Sequence, residues 1–160
     1  KIMRNNTLIR SIQKSLKLSS ETILSIYQIA DSDISLTDIE DVLKHESEDN
    51  YVELSDEGLL LFLDSLIVHL RGNSGNPPQS VDIDNNVVLK KLRIALNMRD
   101  DDMVAIFAFT ERPLKKSEIT PFFRKNNHKQ YKGCQDPLMR TFFKGLSIYV
   151  QKNELNIECV

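Results

Sequence analysis

The stretch NNTLIRSIQKSL at Asn5–Leu16 returns as NNVVLKKLRIAL at Asn85–Leu96. From these two starts, Asn5 to Gly72 aligns with Asn85 to Lys152 without a gap, at a constant offset of about 80 positions. The identical positions are those a fold needs: Asn5/Asn85, Asn6/Asn86, Leu16/Leu96, Ile26/Ile106, Ile39/Ile119, Tyr51/Tyr131, Asp56/Asp136, Phe62/Phe142 and Leu66/Leu146. Between them apolar answers apolar, as in Ile9/Leu89, Ile12/Leu92, Ile23/Met103, Tyr27/Phe107, Leu43/Phe123 and Leu63/Phe143. One helical module is therefore written twice.

Each copy reads as four helices. In the first, Ile9, Ile12 and Leu16, or Leu89, Leu92 and Leu96, follow helical spacing after the Asn pair, whose residues are good N-caps. The second begins around Ser20 or around Asp100-Asp101-Asp102, acids that suit the positive end of a helix dipole. Its buried stripe is Ile23, Ile26 and Tyr27, or Met103, Ile106 and Phe107. The third is short, with capping-box spacing in Ser35-Leu36-Thr37-Asp38. In the second copy Ser117 is the expected cap, which puts Pro121 fourth in the helix, where its missing N–H has no intrahelical partner. The fourth runs from about Asp56 to Arg71 and from about Asp136 to Gln151, with Asp136-Pro137 as cap and first helical residue. The fold expected is all-α: two tandem four-helix repeats packed together, residues 5–72 and 85–152, joined by a linker at 73–84 and followed by a tail at 153–160. Gly72 stops the fourth helix and Pro77-Pro78 holds the linker extended.

A copy of about 70 residues lies near the lower limit for an adequate core, so the two are expected to share an interface. A hydrophobic content of 41% with 28% charged residues is that of a soluble globular chain rather than a disordered one. No apolar run approaches the roughly 20 residues of a membrane span, and no secretory signal is visible. Met3, after Lys1-Ile2, reads as the natural start. Cys134 and Cys159 are too few for a disulfide framework, and free thiols fit a reducing cytoplasm.

The net charge of -2 conceals a split. Residues 1–72 carry 7 Lys/Arg against 13 Asp/Glu, whereas residues 81–160 carry 14 against 10. The most suggestive segment is Phe122 to Lys132, where Arg124, Lys125, His128, Lys129, Tyr131 and Lys132 crowd in and after the third helix. Such residues suit phosphate contacts, with Tyr131 as a stacking ring or as a pin between loop and core. Copy one answers with Lys44 and His45 but then Glu46, Glu48 and Asp49, acids that repel a polyanion. Two functions follow. One is a non-enzymatic binding protein that engages nucleic acid through the second repeat. The other is a protein-interaction or self-association module with complementary acidic and basic halves, in which the basic loop pairs with the acidic copy.

Signals for catalysis are weak. His45, His69 and His128 share no metal-ligand spacing, and there is no CxxC, HExxH or Gly-rich phosphate loop, so neither metal nor cofactor is expected. Cys134 near the start of the last helix, with His128 upstream, is the one conceivable nucleophile pair. The bland reading is a half-buried loop thiol, since copy one has Leu54 and Glu48 there. Asp100-Asp101-Asp102 reads as a solvated first turn rather than a cation site.

In Asn85-Asn86, Leu92-Arg93-Ile94-Ala95-Leu96-Asn97-Met98, Asp101-Asp102-Met103, Ile106-Phe107, Phe123-Arg124-Lys125, His128, Tyr131, Asp136, Phe142 and Lys144-Gly145-Leu146, the chain resembles the YehS-like family of bacterial proteins of unknown function. Tyr51, Ser55-Asp56, Phe62-Leu63-Asp64 and Leu66-Ile67 carry the same resemblance in copy one. It implies a small, two-copy, all-helical cytoplasmic protein and supplies no activity or catalytic residues. A looser likeness is to phage-repressor helix-turn-helix domains, in which the helix after the turn enters the major groove. The turn here, about Thr110 to Lys116, is longer than the usual three or four residues.

Overall fold

The Asn pairs do not cap the first helix of each repeat; they begin it. The computed structural model describes residues 3–72 and 82–157, and Lys1-Ile2, most of the linker with its prolines, and Cys159 lie outside them. Among the described residues the elements are α1 (Asn5–Leu16), α2 (Ser20–Gln28), α3 (Leu36–Leu43), α4 (Asp56–Arg71), α5 (Asn85–Ala95), α6 (Asp100–Ala108), α7 (Lys116–Ile119) with a 3-10 turn at Thr120–Phe123, and α8 (Asp136–Lys152), with no strand. The N-cap positions of α1 and α5 are Arg4 and Asp84, the latter accepting from Val87 N at 2.8 Å.

The Asn side chains are used at long range instead. Asn6 Nδ2 donates to Val42 O (2.9 Å) and Val52 O (2.8 Å), and its Oδ1 accepts from Leu54 N (2.9 Å). Asn86 repeats this on Phe122 O (3.1 Å), Lys132 O (2.8 Å) and Cys134 N (2.8 Å). Asn5 Nδ2 donates to Leu54 O and to Asp56 Oδ1; Asn85 Nδ2 donates to Cys134 O and to Asp136 Oδ1. Each pair thus fastens the start of the first helix to the end of the third element and to the loop that leads into the fourth. A buried amide that satisfies three backbone groups is stable where an unpaired one is not.

Other helix starts show which local signals win. Ser35 and Asp38 form the expected capping box, Asp38 N donating to Ser35 Oγ at 3.1 Å and Ser35 N to Asp38 Oδ2 at 2.9 Å. Those bonds hold the Asp38 carboxyl below its ordinary range. In copy two the cap position is Lys115, not Ser117, because Glu118 is spaced to accept from Lys115 N at 2.9 Å. Pro121 then falls beyond the α-helical turn, and the chain tightens to 3-10 geometry, which asks less of the missing N–H. Asp136 is likewise inside α8, with Gln135 at the cap and Pro137 one place later than expected, because the Asp136 carboxylate is taken by Asn85. Gly72 ends α4 with φ 78°, as expected of a glycine stop.

Within each repeat the second helix packs on the third and fourth; between repeats α1 packs on α8 and α4 on α5. Under the sequence offset these two inter-repeat pairs exchange, so the halves meet in equivalent ways on both sides. One apolar core runs through both, with Phe62, Phe107 and Phe142 among its fully buried side chains. Tyr27 and Phe62 stack tilted at 5.6 Å, and their counterparts Phe107 and Phe142 do so at 6.0 Å. Among the described glycines the closest approach is that of α8 on α6, where a Cβ on Gly145 would stand 2.2 Å from Ile106 O. No described helix is long and apolar enough to cross a membrane.

Candidate functional site

The basic loop of copy two stands on a rigid frame. His128 N donates to Lys125 O and Tyr131 N to His128 O, both at 2.9 Å, so residues 125–131 form two successive turns. Asn86 grips the backbone on either side, at Phe122 and Lys132, and Lys132 N returns to Pro121 O at 3.2 Å. Copy one folds identically, with Glu48 N on His45 O, Tyr51 N on Glu48 O and Val52 N on Asp41 O. The same scaffold presents opposite charges: Arg124, Lys125, Lys129 and Lys132 in one repeat, Glu46, Glu48 and Asp49 in the other, all exposed.

The sequence-predicted residues part here. Arg124, Lys125, His128, Lys129 and Lys132 share the exposed loop, whereas Tyr131 is half-buried. Tyr131 lines a small pocket with Asp84, Asn85 and Cys134, and its phenol is pushed up by burial and then by Asp84 and Cys134. His128 Nδ1 accepts from Gln130 N at 3.0 Å, which binds it to its own turn. Cys134 is buried outright, not half-buried; burial and then the Asp136 carboxylate push its thiol up to about 12. A thiol so protonated is a poor nucleophile. Nor does it bond to His128, so the conceivable pair does not assemble. Of the three acids opening α6, only Asp101 is left to solvent. Asp100 pairs with Arg93 at 2.7 Å, and Asp102 accepts from Arg99 N and from the Tyr149 hydroxyl.

None of Arg124, Lys125, Lys129 and Lys132 forms an ion pair within the described residues. Arg4–Glu46, Lys44–Asp41, Lys91–Asp64, Arg93–Asp100 and Lys144–Glu111 are the pairs found there, so the expected pairing of the basic loop with the acidic copy does not occur. Lys132 does extend over the Phe122 ring, 6.0 Å from its centroid.

Sequence reading missed what lies beside the loop. A cavity of about 590 Å³ opens between the repeats, lined by Arg71 of α4, Lys90 and Arg93 of α5, Asp100, Phe123 and Arg124. Arg93 is committed: it bonds Met98 O at 3.0 Å and Asp100, and its guanidinium lies 4.4 Å from the Phe123 ring centroid. Arg71 donates to Ile94 O at 3.1 Å. Lys90 and Arg124 have no carboxylate partner among the described residues. Since Arg124 both lines the cavity and opens the loop, the two form one continuous basic surface. The i, i+3 pair Lys90 and Arg93 was the available sequence signal; Arg71, from the other repeat, gave none.

These features, two copies of one four-helix module sharing a core and an Asn-Asn tether in each, define a duplicated all-helical family. The family described as "Protein of unknown function (DUF1456)" matches residues 5–72 and again 85–151, and the chain belongs to it. The "Uncharacterized protein YehS" of Escherichia coli (strain K12) is 32% identical over 148 residues, covering 91% of this chain and 95% of that protein. No solved structure matches significantly.

Proposed function

We propose that the chain is a non-enzymatic cytoplasmic protein that binds nucleic acid through its second repeat. Arg124, Lys125, Lys129 and Lys132 contact phosphates, His128 adds a donor, and the half-buried Tyr131 is the stacking ring. The observation that carries this reading is that the loop cations have no carboxylate partner among the described residues and continue, through Arg124, into the Lys90 side of the cavity. Exposed cations clustered on one face and free of internal partners attract a polyanion over distances of about a Debye length, ~10 Å at 0.1 M salt. The helix order α6, turn, α7 matches that of a helix-turn-helix, although residues 109–115 make a long connection and α7 is a single turn.

The test is titration of protein freed of nucleic acid into labelled duplex and single-stranded oligonucleotides at two salt concentrations. Binding that weakens with salt and disappears in the variant Arg124→Glu/Lys125→Glu/Lys129→Glu/Lys132→Glu is expected. Equal binding by wild type and variant, or no binding at low salt, overturns the reading. Salt-sensitive self-association without nucleic acid would favour instead an interaction module in which the acidic loop of one chain meets the basic loop of another.

A further inference from the structure

The equivalence of the two inter-repeat crossings makes the chemical differences between them informative, and one pair of positions stands out. At the α4–α5 crossing Lys91 Nζ meets Asp64 Oδ1 at 2.5 Å, both side chains largely buried, and this ion pair bridges the two helices at that point. The corresponding positions at the α1–α8 crossing are Ser11 and Lys144. Serine is too short to cross, and the carboxylate has become a third cation beside Lys14 and Arg140. There a cleft of about 520 Å³ opens, within the usual ~300–1,000 Å³ of small-molecule sites.

Its walls are of two kinds. Lys14, Arg140 and Lys144 stand exposed on the rim. Their one acidic neighbour among the lining residues is Glu111, 3.7 Å from Lys144 in a pair with both side chains about 70% exposed, too wet to neutralise the rim. Phe109, Phe143 and Ile148 supply an apolar wall. Phe109 remains 37% exposed although large aromatic rings are usually covered. The base is fixed, because Ser15 Oγ donates to Phe143 O at 3.1 Å and ties α1 to α8.

We propose that this cleft binds a small amphipathic organic anion. The ligand's anionic group supplies the negative charge that Asp64 supplies at the other crossing, and is held by Lys14, Arg140 and Lys144. Its apolar body lies on Phe109, Phe143 and Ile148. The site is independent of the nucleic-acid reading, since it shares no residue with the basic loop or with the cavity beside it.

The probe is 8-anilinonaphthalene-1-sulfonate, a fluorescent aromatic anion, titrated against the folded full chain, with decanoate, decanol and inorganic phosphate as competitors. Saturable binding is expected, displaced by decanoate at least tenfold more effectively than by decanol or phosphate alone. The decisive variant is Ser11→Lys/Lys144→Asp, which imports the ion pair of the other crossing. It should weaken probe binding at least tenfold while the helical circular dichroism is retained. Arg140→Gln/Lys144→Gln, confined to exposed side chains, should weaken binding likewise and serves if the first variant does not fold. Lys90→Glu/Arg124→Glu should leave it unchanged. The proposal is overturned if the native protein does not bind the probe, if decanol competes as well as decanoate, if both cleft variants bind as wild type does, or if binding is lost only with Lys90→Glu/Arg124→Glu.

Discussion

Removing the side chain of Asn86 should be among the most damaging single changes in the molecule, although the residue carries no charge and touches no proposed ligand. Asn86→Ala deletes three hydrogen bonds, to Phe122 O, Lys132 O and Cys134 N. At about 0.5–1.5 kcal/mol net for each bond the loss is ~3 kcal/mol, and the buried Cys134 N–H and Phe122 C=O, left without partners, raise it toward ~4–5 kcal/mol. A domain with some 5–15 kcal/mol of total stability would feel that acutely. Equilibrium unfolding in guanidinium chloride, followed by circular dichroism, measures the midpoint shift at constant slope. Asn86→Asp is the sharper control: it keeps the acceptor for Cys134 N but turns a carboxylate oxygen toward two carbonyls, so it should cost as much as alanine or more. A loss below about 1 kcal/mol for Asn86→Ala, or a harmless Asn86→Asp, would refute the account of the tether. The same change frees both ends of the basic loop, so it should also weaken oligonucleotide binding without altering net charge.

Four further outcomes are expected. Gly145→Ala should destabilise by about 1–3 kcal/mol in thermal unfolding, since its Cβ would stand 2.2 Å from Ile106 O and the gain in helix propensity is smaller than the strain. Lys17, at φ 57°, ends α1 in the left-handed region, so Lys17→Gly should raise stability by up to about 1 kcal/mol in the same assay. For Cys134 burial raises the thiol from 9.0 to about 12, so folding favours the protonated form. Its contribution is intact below pH 9 and falls as pH climbs toward 12. Cys134→Ala should remove the part of the alkaline loss that begins near pH 9 in urea unfolding curves and leave the part due to the buried phenols, such as Tyr27, that sets in above pH 10. Alkylation by iodoacetamide should wait on unfolding. If the four loop cations each neutralise one phosphate of a duplex, the logarithm of the binding constant should fall with the logarithm of salt at a slope of about -3.6, and charge reversal should abolish that part of the slope.

The repeat and the number of helices could be read in the sequence because apolar spacing survives duplication. The capping box at Ser35 and Asp38 was legible because its signal is local; at α7 two local candidates competed and Lys115 with Glu118 prevailed over Ser117, while elsewhere a distant partner claimed the side chain. Asn5, Asn6, Asn85 and Asn86 have the right chemistry for caps, but their partners lie 36 to 51 positions away, which no local rule detects. Asp136 likewise has a cap's chemistry, but its carboxylate is claimed by Asn85, 51 positions away. The charge split was visible residue by residue. Its failure to neutralise itself was not, since that depends on where two similar loops stand once both copies are folded. The cavity beside Arg124 draws on four elements from both repeats, so its composition could not be assembled from any one window.

The exchange of the inter-repeat contacts under the offset means that either repeat alone carries both halves of a self-complementary surface. Two identical copies of such a module would close on each other as an isologous pair with twofold symmetry. Joining them in one polypeptide turns assembly into an intramolecular step, independent of dilution. It also lifts the restriction that symmetry imposes. In a true pair every loop exists twice with one charge, and an ion pair is present or absent at both crossings alike. Here the fused halves carry an acidic loop and a basic one, a crossing bridged by an ion pair and one without it, on a frame that still folds as though they were the same.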